Sequence, residues 1–280
     1  MTQMTPIGRI CLLLVVSLAA AGRATAQPIL IDVMTRHGID LPGKSFEAAF
    51  DLGLAPMVPV TPGSFATPLA MLAAGTGGDR IAGAYAFGIL AGRSAKATSP
   101  QELAAAGQPL LQMIGSDDRR SRIAAARVAG RVFAAPFDPG ATRPVVPAGL
   151  IDGLFALWNR PGEFEQLAAM DALGLVREIT AVSALIERYR FHRDDGQRTL
   201  AGGAIEALAR IGEPAAADLV RLVAADRFAE GDDATALAVA FARERLLKDG
   251  SIVIIQQALN DRSRRAQARG YLDELGAPVP

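Results

Sequence analysis

Cysteine is nearly absent from this 280-residue sequence, which contains a single one, Cys11. Cys11 lies in an apolar run near the N-terminus, and the sequence after that run has no cysteine. A disulfide, a cysteine-ligated metal and a thiol nucleophile are therefore excluded from the rest of the chain. The folded part has to be held together by side-chain packing.

Aromatic residues and an excess of either charge are also lacking. Aromatic residues make up 5% of the sequence, hydrophobic residues make up 50%, and alanine, leucine, valine and glycine are abundant. This composition suits closely packed helices better than a β-sandwich. Lysine and arginine number 29, as do aspartate and glutamate. Such a balance argues against a dedicated nucleic-acid binder and against a polyacidic partner.

The first 26 residues have the three-part pattern of a secretory signal peptide. A short basic stretch is followed by an apolar run over residues 10–22 and by the small residues Ala24-Thr25-Ala26. The apolar run is too short to cross a bilayer comfortably. We expect cleavage between Ala26 and Gln27, export to the periplasm or the cell exterior, and no transmembrane segment in the mature chain. A retained anchor or a buried N-terminal helix are the alternatives.

Residues 27–76 are expected to form an irregular N-terminal extension, because prolines interrupt any long element. Two short helices fit between them, over residues 45–54 and 65–74. The prolines are Pro28, Pro42, Pro56, Pro59, Pro62 and Pro68.

From Asp79 onward, apolar residues recur at spacings of three and four, in runs of roughly 12 residues separated by short polar, glycine or proline breaks. This pattern predicts an all-α domain over residues 77–280. Helices this short are unstable alone, so we expect them to pair and stack as an α-solenoid of antiparallel hairpins. The first helices of the pairs begin near residues 79, 118, 163, 197, 232 and 261, a drifting period of about 29 to 45 residues that is typical of helical repeats. A non-repetitive bundle is the alternative.

Residues 200–223 resemble a HEAT-like repeat of the short bacterial kind associated with phycobilisome lyases. An alanine-rich first helix ends in Ile211-Gly212, the turn continues with Glu213-Pro214, and Leu219 and Leu222 mark a second helix. Weaker copies lie at residues 117–132 and 164–174. The resemblance implies an interaction scaffold and rarely an enzyme.

Candidate catalytic and metal-binding residues are few. Arg36-His37-Gly38 resembles the opening motif of histidine phosphatases, but Asp40 stands where a second phosphate-binding arginine is expected and would repel phosphate. The only other histidine, His192, has the wrong neighbours for that family's second catalytic residue. Paired aspartates precede predicted helices, where capping explains them better than metal binding. We therefore expect no metal site and no cofactor.

Two groups of arginines mark candidate interaction surfaces. Arg120, Arg127 and Arg131 fall on one face of a predicted helix, with Arg127 and Arg131 each within about 20° of Arg120. The second group, Arg262, Arg264, Arg265 and Arg269, opens the last predicted helix. Either group could hold an acidic partner or an anionic head group, or could be a solvated face with acids on neighbouring helices.

The sequence thus predicts an exported, non-enzymatic scaffold that binds a protein or peptide of unknown identity. A small-ligand-binding or lyase-like protein on the same scaffold is the alternative, and it would require a deep pocket with converging polar groups. A hydrolase using Arg36-His37-Gly38 is a more distant alternative.

Overall fold

The computed structural model describes residues 46–51, 62–92, 98–136, 142–225 and 233–278. Within these ranges the chain is helical and has no strand, which confirms the all-α prediction. No helix in the described part is long and apolar enough to cross a membrane. The expected signal peptide, the cleavage position between Ala26 and Gln27, and the Arg36-His37-Gly38 motif lie outside the described residues.

The described ranges contain α-helices and short 3₁₀ turns. Three 3₁₀ turns lie at Pro62–Phe65, Ile179–Ala181 and Pro214–Ala216. The α-helices are α1 (Phe46–Asp51), α2 (Ala66–Ala74), α3 (Gly77–Gly92), α4 (Pro100–Ile114), α5 (Arg119–Val132), α6 (Leu150–Trp158), α7 (Glu163–Leu175), α8 (Val182–Asp194), α9 (Arg198–Ile211), α10 (Ala217–Ala225), α11 (Asp233–Leu247), α12 (Ile252–Ala258) and α13 (Arg265–Leu275).

Local sequence signals explain several helix ends. Ser99 and Glu102 form a reciprocal capping box at the start of α4, with Ser99 N donating to Glu102 Oε2 at 2.8 Å. The Asp118 carboxylate caps α5 by accepting from the backbone of Arg120 and from Ser121. Gly212 ends α9 with φ 74°, a left-handed conformation that glycine adopts without strain. These ends agree with the breaks predicted from the sequence.

Every second helix belongs to one continuous row. In this central row, α3 packs against α5, α5 against α7, α7 against α9 and α9 against α11. Glycines allow the helices to approach closely: a Cβ at Gly130 would lie 2.7 Å from the Cα of Ala172, and one at Gly174 would lie 2.8 Å from the Cα of Ala207. The alanine-rich sequence thus serves to bring these helices together.

The remaining helices flank the central row, and for α5, α7 and α9 their pairing differs from the sequence prediction. Each helix beginning near residues 118, 163 and 197 was expected to pair with the helix that follows it. In the structure α5 packs against α4, α7 against α6 and α9 against α8, the preceding helix in each case. The reason is connection length, because the breaks at residues 115–118, 159–162 and 195–197 are among the shortest in the chain. Of the two leucines that mark the second helix of the HEAT-like unit, Leu219 is buried and Leu222 is 66% exposed.

Helices α1 and α2 lie within the region expected to be an irregular extension, and both pack against α3. Phe50 of α1 contacts Tyr85 of α3, with ring centroids 5.2 Å apart. Two segments of the proline-rich region therefore join the same hydrophobic core as the central row.

Candidate functional site

A cleft of about 1190 Å³ opens where the C-terminal ends of α5, α7 and α9 meet α4, α13 and residues 134–136 and 142–148. Its lining combines apolar walls with an excess of arginine over carboxylate, and we call it the arginine cleft. Leu103, Val132 and Leu175 contribute to the apolar walls. The charged lining residues are Arg131, Arg143, Arg210, Arg262, Arg265 and Arg269, with Asp171, Asp273 and Glu274.

Arg210 is the buried ionic centre of this cleft. Its guanidinium binds Glu274 through two hydrogen bonds of 2.8 Å, forms an ion pair with Glu206 at 2.6 Å, and is also paired with Asp171. Although burial alone would lower it, the pKa of Arg210 is raised above its ordinary value by the three carboxylates. The network joins α7, α9 and α13, so it holds one wall of the cleft against the central row.

That wall is α13 and the residues just before it. Arg262, Arg265 and Arg269 lie three and four positions apart, on one side of the segment, and all three line the cleft. Tyr271 anchors α13 on its other side by stacking on Phe241, with ring centroids 4.3 Å apart. The anchored helix therefore presents its arginines to the cleft.

Arg177 and Arg245 stand next to the cleft without lining it. Burial, and then the charges of Arg245 and Arg143, lower the pKa of Arg177 to about 10, while Glu274 opposes the shift. Arg177 also has φ 54° just after the end of α7, a position that glycine occupies without strain after other helices. Arg177 is thus partly buried near other arginines and has a backbone conformation that is unfavourable for a non-glycine residue. Its charge adds to the positive field around the cleft.

The predicted stripe of Arg120, Arg127 and Arg131 is divided in the structure. Arg120 is exposed near the start of α5. Arg127 and Arg131 lie over the ring of Phe50, at 5.5 and 4.2 Å from its centroid, and Arg127 is 3.8 Å from Glu47. Part of the stripe is therefore covered by α1 of the same chain, and of the three only Arg131 lines the arginine cleft.

The second predicted group contributes more to the site. Arg262, Arg265 and Arg269 line the arginine cleft, while Arg264 is directed to Asp261 at 3.0 Å. Sequence reasoning missed Arg143 and Arg210. A signal for the latter exists, because Arg131, Arg210 and Arg245 each occupy the last turn of a central-row helix.

A smaller cleft of about 550 Å³ adjoins the first and shares Asp171 and Arg210 with it. We call it the Phe164 cleft, after a side chain that is 62% exposed. Its other lining residues are Glu47, Ile123, Arg127, Leu167, Ala168, Gly203 and Glu206.

His192 lies outside both clefts. It is buried in α8, and its Nδ1 is 2.7 Å from Gln197 Oε1. Burial lowers its pKa from the ordinary value of 6.5. In the described ranges no group of three or more histidine, cysteine, aspartate or glutamate side chains is arranged to hold a metal ion.

Comparison with known proteins adds nothing to the geometry of the two clefts. No protein-family model, curated protein or solved structure matches this chain.

Proposed function

We propose that the chain is an exported scaffold of HEAT-like stacked hairpins that binds an acidic segment of a partner protein or peptide in the arginine cleft. The repeat part of the proposal is supported by the central row, in which helices two apart in the chain pack in sequence order. The resemblance of residues 200–223 to a HEAT-like unit is in keeping with it.

The lining charge of the arginine cleft carries the functional part of the proposal. Among the described residues, six arginines and three carboxylates line it, and one of the arginines, Arg210, is already neutralised by its own carboxylates. Guanidinium groups bind carboxylates through charge-assisted, often bidentate hydrogen bonds. Apolar walls exclude water and strengthen such pairs. An acidic segment fits this combination better than a basic or uncharged one.

Size favours a peptide over a small molecule. Pockets for small ligands usually have volumes of about 300 to 1000 Å³. The arginine cleft exceeds this range at about 1190 Å³ and adjoins the Phe164 cleft, with which it shares Asp171 and Arg210. A chain segment can occupy two adjoining clefts.

A small anionic ligand is the second candidate. It is favoured by the convergence of arginines from four parts of the chain on one concave site. If the site takes a small anion, free glutamate should bind as tightly as a glutamate-rich peptide. If it takes a chain segment, the peptide should bind more tightly.

The test is a binding titration with a short glutamate-rich peptide, a lysine-rich peptide of equal length, and free glutamate. Of the three ligands, we expect only the glutamate-rich peptide to bind, with an affinity that falls as the salt concentration is raised. The double variant Arg265→Glu, Arg269→Glu should weaken binding at least about tenfold, whereas Arg190→Glu, an exposed arginine outside both clefts, should not. Equal binding of the lysine-rich peptide, or equal losses in both variants, would contradict the proposal.

A further inference from the structure

The two clefts share Asp171 and Arg210 and lie end to end along the central-row helices, and together we call them the groove. On α5, Ile123 lines the Phe164 cleft and Arg131 lines the arginine cleft. On α7 the order is the same, from Phe164 and Leu167 to Leu175. The groove therefore follows one face of these helices from their N-terminal halves to their C-terminal ends.

The length of the groove follows from helix geometry. At a rise of 1.5 Å per residue, the stretch of α7 from Phe164 to Leu175 is about 16 Å long. About five residues of extended chain cover that distance. A single short segment can thus reach both clefts.

The chemistry of the groove changes along this length. The Phe164 cleft has no excess of positive charge, because Arg127 and Arg210 stand beside the carboxylates of Glu47, Asp171 and Glu206. Its most exposed lining side chain is Phe164, at 62%, which is also the most exposed aromatic residue in the described part of the chain. An acidic side chain gains nothing here, whereas an apolar one buries surface against Phe164.

We propose that the partner segment is bipartite, with an acidic run in the arginine cleft and an aliphatic or aromatic anchor in the Phe164 cleft, about five residues away. This inference rests on the proposed function, because it concerns the same groove and extends its ligand. The order of charge and apolar surface along α5 and α7 fixes which part of the segment lies where.

The experiment compares two synthetic peptides on the full chain. One carries only the glutamate run, and the other carries the same run with a leucine about five residues away. We expect the second to bind about tenfold or more tightly, as the burial of one large apolar side chain allows. Phe164→Ala should remove that advantage and leave the affinity for the glutamate run unchanged.

The matched control is Phe191→Ala, because Phe191 is also exposed, at 57%, but lies on α8 outside both linings. It should leave both affinities unchanged, and thermal melts should show that both variants remain folded. Equal affinity of the two peptides, or equal effects of the two variants, overturns the bipartite segment while the proposed function stands. If neither peptide binds, the proposed function fails and this inference fails with it.

Discussion

Replacing Arg122 with methionine should strongly destabilise the chain by leaving a buried carboxylate without its main partner. Arg122 on α5 pairs with Glu165 on α7 through Nε at 2.8 Å and Nη2 at 2.6 Å. The two side chains are only 8% and 5% exposed. The Nη1 atom also donates to the carbonyl oxygens of Ser116 and Asp117, at 2.8 and 2.7 Å. The pair thus joins two neighbours of the central row and the turn before α5.

The magnitude follows from the burial of both ions. Removing one partner of a buried pair usually costs about 3 to 5 kcal/mol, because the remaining charge is desolvated without compensation. Arg119, whose Nε is 3.4 Å from Glu165 Oε2, is 52% exposed and can offset only a small part. We therefore expect a loss of about 3 kcal/mol, at the lower end of that range.

Urea unfolding of four proteins measures the effect: wild type, Arg122→Met, Glu165→Met and the double variant. Replacing both ions by apolar side chains leaves no unpaired charge, so the double variant should be more stable than Arg122→Met alone. A loss below about 1 kcal/mol in Arg122→Met, or a double variant whose loss equals the sum of the single losses, would show that the buried pair does not stabilise the fold in this way.

Three further predictions concern packing, pH and binding. Gly174→Ala should destabilise the chain by about 1 to 3 kcal/mol in urea unfolding, because the added Cβ would meet the backbone of α9. Gly270→Ala is the control: its Cβ has open space, so the substitution should stabilise the chain by about 0.5 to 1 kcal/mol. Equal effects of the two substitutions would contradict the close packing of α7 on α9. The pKa of His192 is lowered in the folded chain, so below pH 6.5 the unfolded chain binds more protons and the free energy of unfolding should fall as pH drops. His192→Asn should make that fall less steep. An unchanged slope in the variant would show that His192 does not cause the pH dependence. Asp273→Asn removes a carboxylate from the arginine cleft and should tighten binding of the acidic peptide about two- to fivefold by titration, while weaker binding would disagree with the charge argument.

The helices could be predicted from the sequence because their signals are local. Ser99 and Asp118 mark the starts of α4 and α5, and Gly212 marks the end of α9. The pairing could not be read in the same way, because it depends on which breaks are short enough to force neighbouring helices together. The sequence pattern therefore paired α5, α7 and α9 with the wrong flanking helix, whereas α11 does contact α12, the helix that follows it.

The site was harder to predict because its parts are distant in sequence. Arg131, Arg143, Arg210 and Arg269 come from separate segments, and the balanced charge of the whole chain conceals their local excess. Helical periodicity correctly placed Arg127 and Arg131 on one face of α5. It could not show that Phe50 of α1 lies against both.

Arginine footprinting tests directly whether the arginine cleft receives an acidic segment. The full chain would be treated with phenylglyoxal with and without the glutamate-rich peptide, and modified arginines would be located by mass spectrometry. We expect the peptide to protect Arg143, Arg262 and Arg269 while Arg190 stays reactive. Protection of Arg190 to the same degree, or none in the cleft at saturating peptide, would contradict it.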